Sequence, residues 1–468
     1  MSMCASRKLK KHTARAISFG VLGAMTLLSP PTSAETLLDA LTLAYSSNPR
    51  LLAQRAQLRS VDEQMPQAIS GHRPTSSINL EAGKTSSRSE GGFFSSKENR
   101  SPRSGSISVN QPIFRGFRTL FDARRAKATI MQERARLVTV EQDVLFDTVT
   151  AYMNVVRDQA VLNLNVKNEQ VLRRQLQATR DRFQVGEVTR TDVSQAEARL
   201  AQARATRTQA EGALQISRAN YRRVVGKLPA KLGRPKKKIR VPVNQKIVVE
   251  NASRGAPGLV LARFAEAAAR HSVDLITGEL LPTVSLNGSL SRSVGVSARK
   301  NRTSTGTITA QVVIPLYQAG ATSSRIRQAK QIVSQRHQEI IDARRVAIEA
   351  ATQAWHNLAT ARAQIRAFDA AVKANTIALD GVRQEAAAGL RTVLDVLDAE
   401  QELLDSRVNL VRAQRDVVVS SYNVWRSMGV LTAGNLKLPV QIYDVSRHFR
   451  RVKYLPWGPG GRTSSYAK

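Results

Sequence analysis

The sequence predicts a mainly α protein with a small β part, built by duplicating one long helical hairpin. Three observations predict this: a sixteen-residue motif stated twice, long runs free of helix breakers on both sides of each copy, and a short stretch of two-residue alternation in each half. The motif runs V-G-E-V-T-R-T-D-V-S-Q-A-E-A-R-L from Val185 and A-G-L-R-T-V-L-D-V-L-D-A-E-Q-E-L from Ala388. Gly186 matches Gly389, Thr189 matches Thr392, Asp192 matches Asp395 and Leu200 matches Leu403, every pair 203 residues apart. A period of this length argues for one architecture made by duplication rather than for two separate domains.

Taken in order, residues 1–34 are predicted to be a signal peptide. A basic start (Arg7, Lys8, Lys10, Lys11, Arg15) leads into a 13-residue apolar run, Ala16 to Leu28, and then the small residues Thr32-Ser33-Ala34. That run is too short to span a bilayer. Cleavage after Ala34 would remove Cys4, the only cysteine, which precedes the apolar run and so is no lipoprotein cysteine. The first repeat is drawn over 35–251 and the second over 252–440, with a basic tail over 441–468.

Each repeat begins with helix formers and then changes period. Ile78, Leu80 and Ala82 alternate with Ser77, Asn79 and Glu81, and Ile107 and Val109 alternate with Ser108 and Asn110, which predicts a β-hairpin over 75–112 with a long polar loop at 84–105. Val284, Leu286 and Leu290 and then Ile308, Ala310, Val312 and Ile314 predict its counterpart over 283–315. Pro49 and Pro257, like Pro74 and Pro282, are 208 apart, whereas Pro112 and Pro315 are 203 apart. The first hairpin loop is therefore five residues longer.

The helical runs follow. Residues 117–185 hold no Gly or Pro, and 321–388 hold only Gly381. A run of that length makes a rod of roughly 100 Å, far too long for a globular core. Leu358, Ile365, Val372 and Leu379 recur at heptad spacing beside Ile341, Ile348 and Trp355, which is coiled-coil packing. Gly186 and Gly389 can take the left-handed conformation that reverses a helix, and a Thr or Asp just after them can cap the returning one.

The net charge is +35, of which the leader accounts for +5, leaving +30 on the processed chain. Eleven Lys or Arg and no acid fall within 212–249, a stretch that reads as a solvated linker between the repeats, with contact to anionic polymer or lipid phosphate as the alternative. The tail after Asp444, ending in Pro456-Trp457-Gly458-Pro459-Gly460-Gly461, is predicted to be loosely ordered. An export signal argues against nucleic acid, and only Tyr221 offers an aromatic near the linker. Enzyme motifs are missing: no H-E-x-x-H among the six histidines, no G-x-S-x-G, and an Ile at position 78 where a Walker A glycine preceding Gly83-Lys84-Thr85 would stand. No cofactor or metal is expected. The alternative is a basic secreted coiled-coil protein binding anionic polymer or nucleic acid; a soluble basic coiled coil on nucleic acid explains the charge and the helices, but neither the signal nor the alternating hairpins.

Strands with one apolar and one polar face, in an exported chain with no second apolar layer, fit an outer-membrane barrel. Four strands cannot close one, and an open edge in lipid is forbidden. The chain must oligomerise, and three copies would supply twelve strands.

R-F-Q-V-G-E-V-T-R-T-D-V from Arg182 and G-L-R-T-V-L-D-V-L-D-A from Gly389, set in this duplicated layout over residues 36–440, resemble the TolC family of outer-membrane efflux and secretion channels. The resemblance implies a homotrimer whose strands share one 12-stranded barrel and whose helices form one periplasmic α-barrel tunnel. It implies an exit duct for a tripartite efflux pump or a type I secretion system, docked at its tip turns (Gly186, Thr189, Gly389, Thr392) to a periplasmic adaptor of an inner-membrane RND or ABC transporter. It also implies a gate whose latch joins Arg391 to Thr191 and Asp192. The family often has a Tyr where this chain has Ala386, so Arg391, or Arg190 near it, is expected to carry more of the closure. Asp395 and Asp398 lie on one helical face and are predicted to form an acidic constriction, with carboxyl pKa values raised by mutual repulsion. The cargo, drugs or proteins, stays open.

Overall fold

The structure is a computed structural model and describes residues 35–91, 94–233, 235, 239–297, 300–456 and 458, without side-chain detail for 89–96. The predicted signal, the lysine run 236–238 and most of the 456–461 run lie outside the described residues.

The first repeat opens with α1 (Leu37–Ser47), α2 (Pro49–Asp62) and α3 (Gln64–Ile69), then a 3-10 turn at Ser70–His72. It continues with β1 (Thr75–Ala82), β2 (Thr85–Gly91), β3 (Phe94–Arg100), β4 (Arg103–Arg115), α4 (Arg118–Gln184) and α5 (Arg190–Val225). The second repeat comprises α6 (Gln245–Gly255), α7 (Pro257–Thr277), a 3-10 turn at Gly278–Leu280, β5 (Thr283–Val294), β6 (Arg302–Val313), α8 (Ala321–Ala387) and α9 (Val393–Ser427). A short α10 (Arg447–Val452) follows. The duplication is visible at every joint: α6 and α7 start 208 residues after α1 and α2, while α8 and α9 start 203 residues after α4 and α5. The boundary drawn at residue 251 falls inside α6, and the second repeat begins at Gln245.

The strands form one antiparallel sheet in the order β1-β4-β5-β6, so the two hairpins pair side by side. The 84–105 stretch is not a loop. Its β2 and β3 pair from Thr85↔Arg100 to Gly91↔Phe94 as a second ribbon continuing the first hairpin. In sequence it is mostly Ser, Arg, Lys and Glu, so the two-residue period that marks the other strands is absent there. The joint between β4 and α4 is made by Gly116 and Phe117 with φ of 60° and 59°. A Cβ on Gly116 would strike the Gly278 carbonyl, and one on Gly278 would strike the Gly116 carbonyl, so the strand–helix joints of the two repeats touch through bare backbone.

Below the sheet the long helices pair as α4 with α5 and α8 with α9, and α4 also packs on α7 and α9. On α5 the buried residues Ala196, Leu200, Ala203, Ala210, Leu214, Ser217, Tyr221 and Val224 step by threes and fours, with Arg207 filling the one remaining seam position. This is a coiled-coil seam. On α8 the predicted Leu358 and Leu379 are buried, but the upper seam is Ala347, Ala351, Ala354 and Ala361 rather than Ile341 and Ile348, and Ile341 is 38% exposed. Small residues let the facing helix come close, a preference that heptads of large apolar residues do not reveal. The largest core joins Leu37, Leu41, Tyr45 and Leu51 to Leu145, Val149, Tyr152, Tyr221, Val224 and Leu431.

The described part of the tail packs onto the rest of the chain. Val452 is buried, Phe449 stacks under the Arg134 guanidinium, His448 Nε2 lies 3.2 Å from Glu63, and Arg73 donates to the Leu455 carbonyl at 2.8 Å. The apolar Phe449 and Val452 inside a basic stretch supply the packing that charge alone concealed.

Asp62 is out of place beside this core. Both carboxylate oxygens are buried without a hydrogen-bond partner among the described residues, and burial pushes the carboxyl up to about 6 against the pull of Arg134. A folded pKa above the unfolded one costs nothing below about pH 3, where both states are protonated, and costs increasingly as pH rises from about 4 toward 6, up to about 2–3 kcal/mol. Asp62→Asn should therefore raise the thermal midpoint of the purified protein at pH 8 by far more than at pH 4. Equal shifts at both pH values would show that burial of an ionised Asp62 is not the cause.

Candidate channel wall and periplasmic tip

Strand pairing assigns every side chain of the sheet to one of two faces. Ile78 lies opposite Ile107, Ile107 opposite Leu290, Val109 opposite Gly288, and Gly288 opposite Ile308. With Leu80, Val284, Leu286, Ala310 and Val312 these make one continuous apolar face. Ile78, Leu80, Leu290 and Ile308 are 66% exposed or more. Leu80 and Leu290 lie over Gly105 and Gly306, at 3.2 and 3.1 Å from where a Cβ would stand, the same Leu-over-Gly pair in both hairpins. The opposite face holds Ser77, Asn79, Ser106, Ser108, Asn110, Ser285, Asn287, Ser289, Thr305, Thr307 and Thr309. Its residues bridge strands: the Ser77 and Ser108 hydroxyls are 2.8 Å apart, and Asn110 donates to Asn287 at 2.6 Å. A wall apolar on one side and hydroxyl- and amide-lined on the other suits lipid outside and water inside.

The two tips are built alike. Gly186 and Gly389 take φ of 80° and 77°. Thr189 and Thr392 then form capping boxes: the Thr189 hydroxyl donates to Asp192 at 2.7 Å and accepts from its amide at 3.3 Å, and Thr392 treats Asp395 the same way at 2.8 and 3.2 Å. Behind each cap an ion pair ties the descending helix to the returning one, Arg180 with Glu197 and Arg383 with Glu400.

Within one chain the sequence-predicted latch is not assembled. Arg391 donates to Glu385 of its own hairpin at 2.8 Å, while Asp192 is engaged by Thr189 and Thr191 lies beside it on α5. Near the tip the two hairpins are instead joined by the ion pair of Arg199 with Asp398. Within one chain the Thr392 hydroxyl and amide hold the Asp395 carboxyl below the usual carboxylate range, and Asp398 faces Arg199 rather than Asp395. The repeated Arg–Glu pairs keep the 203-residue offset and could have been found in the sequence. Arg199 with Asp398, drawn from different hairpins, leaves no periodic trace. Higher on α4, Glu169 is buried and held by Arg173 at 2.7 Å and Arg207 at 3.0 Å, a charged layer inside the α4–α5 seam that the apolar pattern also hid.

The model of the outer membrane efflux protein family matches residues 40–227 and 248–430, one segment per repeat. The chain belongs to this family. The outer membrane efflux protein BepC of Brucella suis is 34% identical over 448 residues, covering 94% of this chain and 96% of BepC. The outer membrane protein TolC of Vibrio cholerae is 27% identical over 429 residues, covering 88% and 94%. The Campylobacter jejuni CmeC outer membrane channel shares the fold, with a TM-score of 0.76 at 15% identity over 89% of each chain. This efflux protein is thus an outer-membrane export channel of the TolC-like channel-tunnel fold, in a family of channel proteins rather than enzymes. Among the described residues no cluster of His, Cys, Asp and Glu could hold a metal ion.

The capping boxes make a direct test. Thr189→Val and Thr392→Val should each cost about 1 kcal/mol at the tip, read as roughly fivefold faster amide exchange in the first turn of α5 or α9, with exchange in the sheet unchanged. Uniform exchange across both variants would remove the caps from the account.

Proposed function

We propose that three copies of the efflux protein close one twelve-stranded barrel and one helical tunnel, which is the exit duct of a tripartite export system. The observation that carries this is the four-stranded sheet with apolar and polar faces and two unpaired edges, β1 and β6. Lipid does not tolerate unpaired backbone groups, and membrane barrels need at least about eight strands. Pairing β6 of each copy with β1 of the next removes every edge at once. The β2–β3 ribbon then projects outside the cell, and the tips hang in the periplasm. There the turns at Gly186, Thr189, Gly389 and Thr392 are the docking surface for a periplasmic adaptor serving an inner-membrane transporter of the RND or ABC type. BepC, a relative named for efflux, supports the efflux side of this reading.

The tip is the gate. Between copies, Arg391 reaches the neighbour's Thr191 and Asp192, and within a copy Arg199 clamps the hairpins through Asp398. Asp395 and Asp398 line the constriction, but Arg199 neutralises part of its charge. Glu385 competes with the neighbour for Arg391. At a wet tip each pair contributes only about 0.2–1 kcal/mol, which suits a gate that an adaptor opens.

In planar bilayers, Arg391→Ser should raise single-channel conductance several-fold, and adding Asp192→Ala should change it little further, because both remove one latch. Unchanged conductance in both single variants would show that Arg391 is only a surface residue. Arg199→Ala should increase cation selectivity by freeing Asp398, whereas Asp395→Asn with Asp398→Asn should lower it. Selectivity indifferent to all three places the constriction elsewhere.

A further inference from the structure

Glu35, the first described residue, sits in a built socket, with 5% of its side chain exposed. The Tyr221 hydroxyl donates to its Oε1 at 2.8 Å, Lys227 Nζ lies 3.1 Å from the same oxygen, and the Ala230 amide donates to Oε2 at 3.4 Å. The backbone is held as well: Glu35 N–H donates to the Lys231 carbonyl at 3.1 Å, and the Glu35 carbonyl accepts from the Gly233 amide at 3.4 Å. The buried Tyr152 hydroxyl lies within reach of the Glu35 and Gly233 carbonyls, at 2.8 and 2.6 Å. Burial pushes both tyrosines up, so each stays a donor. Side chains of α4 and α5 and the start of the basic linker converge on one residue.

Chain-terminal residues ordinarily fray, and a buried carboxylate persists only where donors surround it. Here such donors stand at the residue that follows Thr32-Ser33-Ala34. We propose that the socket is a binding site for the chain's own processed N-terminus, taking the α-ammonium of Glu35 through the Lys231 carbonyl and its γ-carboxylate through Tyr221, Lys227 and the Ala230 amide. Cleavage adds water across the Ala34–Glu35 amide: Ala34 leaves as a carboxylate, and the Glu35 nitrogen becomes an ammonium. The neutral N–H donor is thereby replaced by a charge-assisted one, which is stronger. Processing one residue later would strip the carboxylate and leave the buried Tyr221 hydroxyl and Lys227 without their acceptor. The docked terminus pins residues 227–233, the start of the linker between repeats, against α4 and α5.

The inference rests on cleavage after Ala34, and the test separates that step from the docking. The mature protein is purified from outer membranes, its intact mass is measured, and the folded protein is treated with formaldehyde and cyanoborohydride before peptide mass spectrometry. The chain is expected to begin at Glu35, with its α-amine dimethylated at least tenfold more slowly than the exposed Lys246, although a free α-amine has the lower pKa and reacts readily. Glu35→Ala and the milder Lys227→Met should each raise that labelling several-fold. A mature chain beginning elsewhere overturns the processing step, and a chain beginning at Glu35 that labels as fast as Lys246 overturns the socket. Protection unchanged in both variants also overturns it.

Discussion

A β-sheet edge has nowhere to go in lipid. The four strands of this protein leave β1 and β6 without partners, and each unpaired N–H or C=O in hydrocarbon costs several kcal/mol. That penalty outweighs any preference of the helices below. It also makes the two hairpins pair with each other through β4 and β5, because four contiguous strands leave two edges per chain where separate hairpins would leave four. The bare-backbone contact of Gly116 with Gly278 lies beneath this pairing, so the joints of the two repeats are tied to the same register.

The helices inherit that arrangement and obey a different constraint. Helices of 67 residues cannot surround a globular core, so each finds a partner along its length, and the seams of α5 and α8 are rich in alanine. Alanine contributes little apolar area per layer, and close approach over many layers takes the place of a few large contacts. The bulky residues gather instead near α1, where Tyr152, Tyr221, Leu41 and Leu431 build the main core.

Much of this was legible in the residues. The 203-residue offset located both tips and both long helices, and the alternation of Ile78, Leu80 and Ala82 with Ser77, Asn79 and Glu81 located the wall of the channel. What stayed hidden has three physical sources. The β2–β3 ribbon is mostly Ser, Arg, Lys and Glu in sequence, so it shows no two-residue apolar period. The order in α10 comes from Phe449 and Val452, two apolar residues masked by a basic neighbourhood. Arg199 with Asp398 and Glu169 with Arg207 are long-range ion pairs, and single-sequence periodicity reports which face a residue occupies but not which charge it meets.

The placement of those charges divides each hairpin into parts of different stiffness. Glu169 and Arg207 stand in seam positions, and the buried Glu169 carboxylate fixes the register of the coiled coil, because sliding by one layer would leave it buried without its arginines. Between that layer and Gly186 lies the small cluster of Leu172, Leu176, Ala196, Leu200 and Ala203, joined by Val393 and Leu397 of the other hairpin. Beyond it lie the exposed pairs of Arg180, Arg199 and Arg391, each weak in water. The lowest-energy deformation therefore leaves the seam above Glu169 intact and spreads the two hairpins below it, at the cost of a few apolar contacts and some exposed ion pairs. Under the gate reading proposed above, a hinge there would part the tips and leave the register of the helices above unchanged.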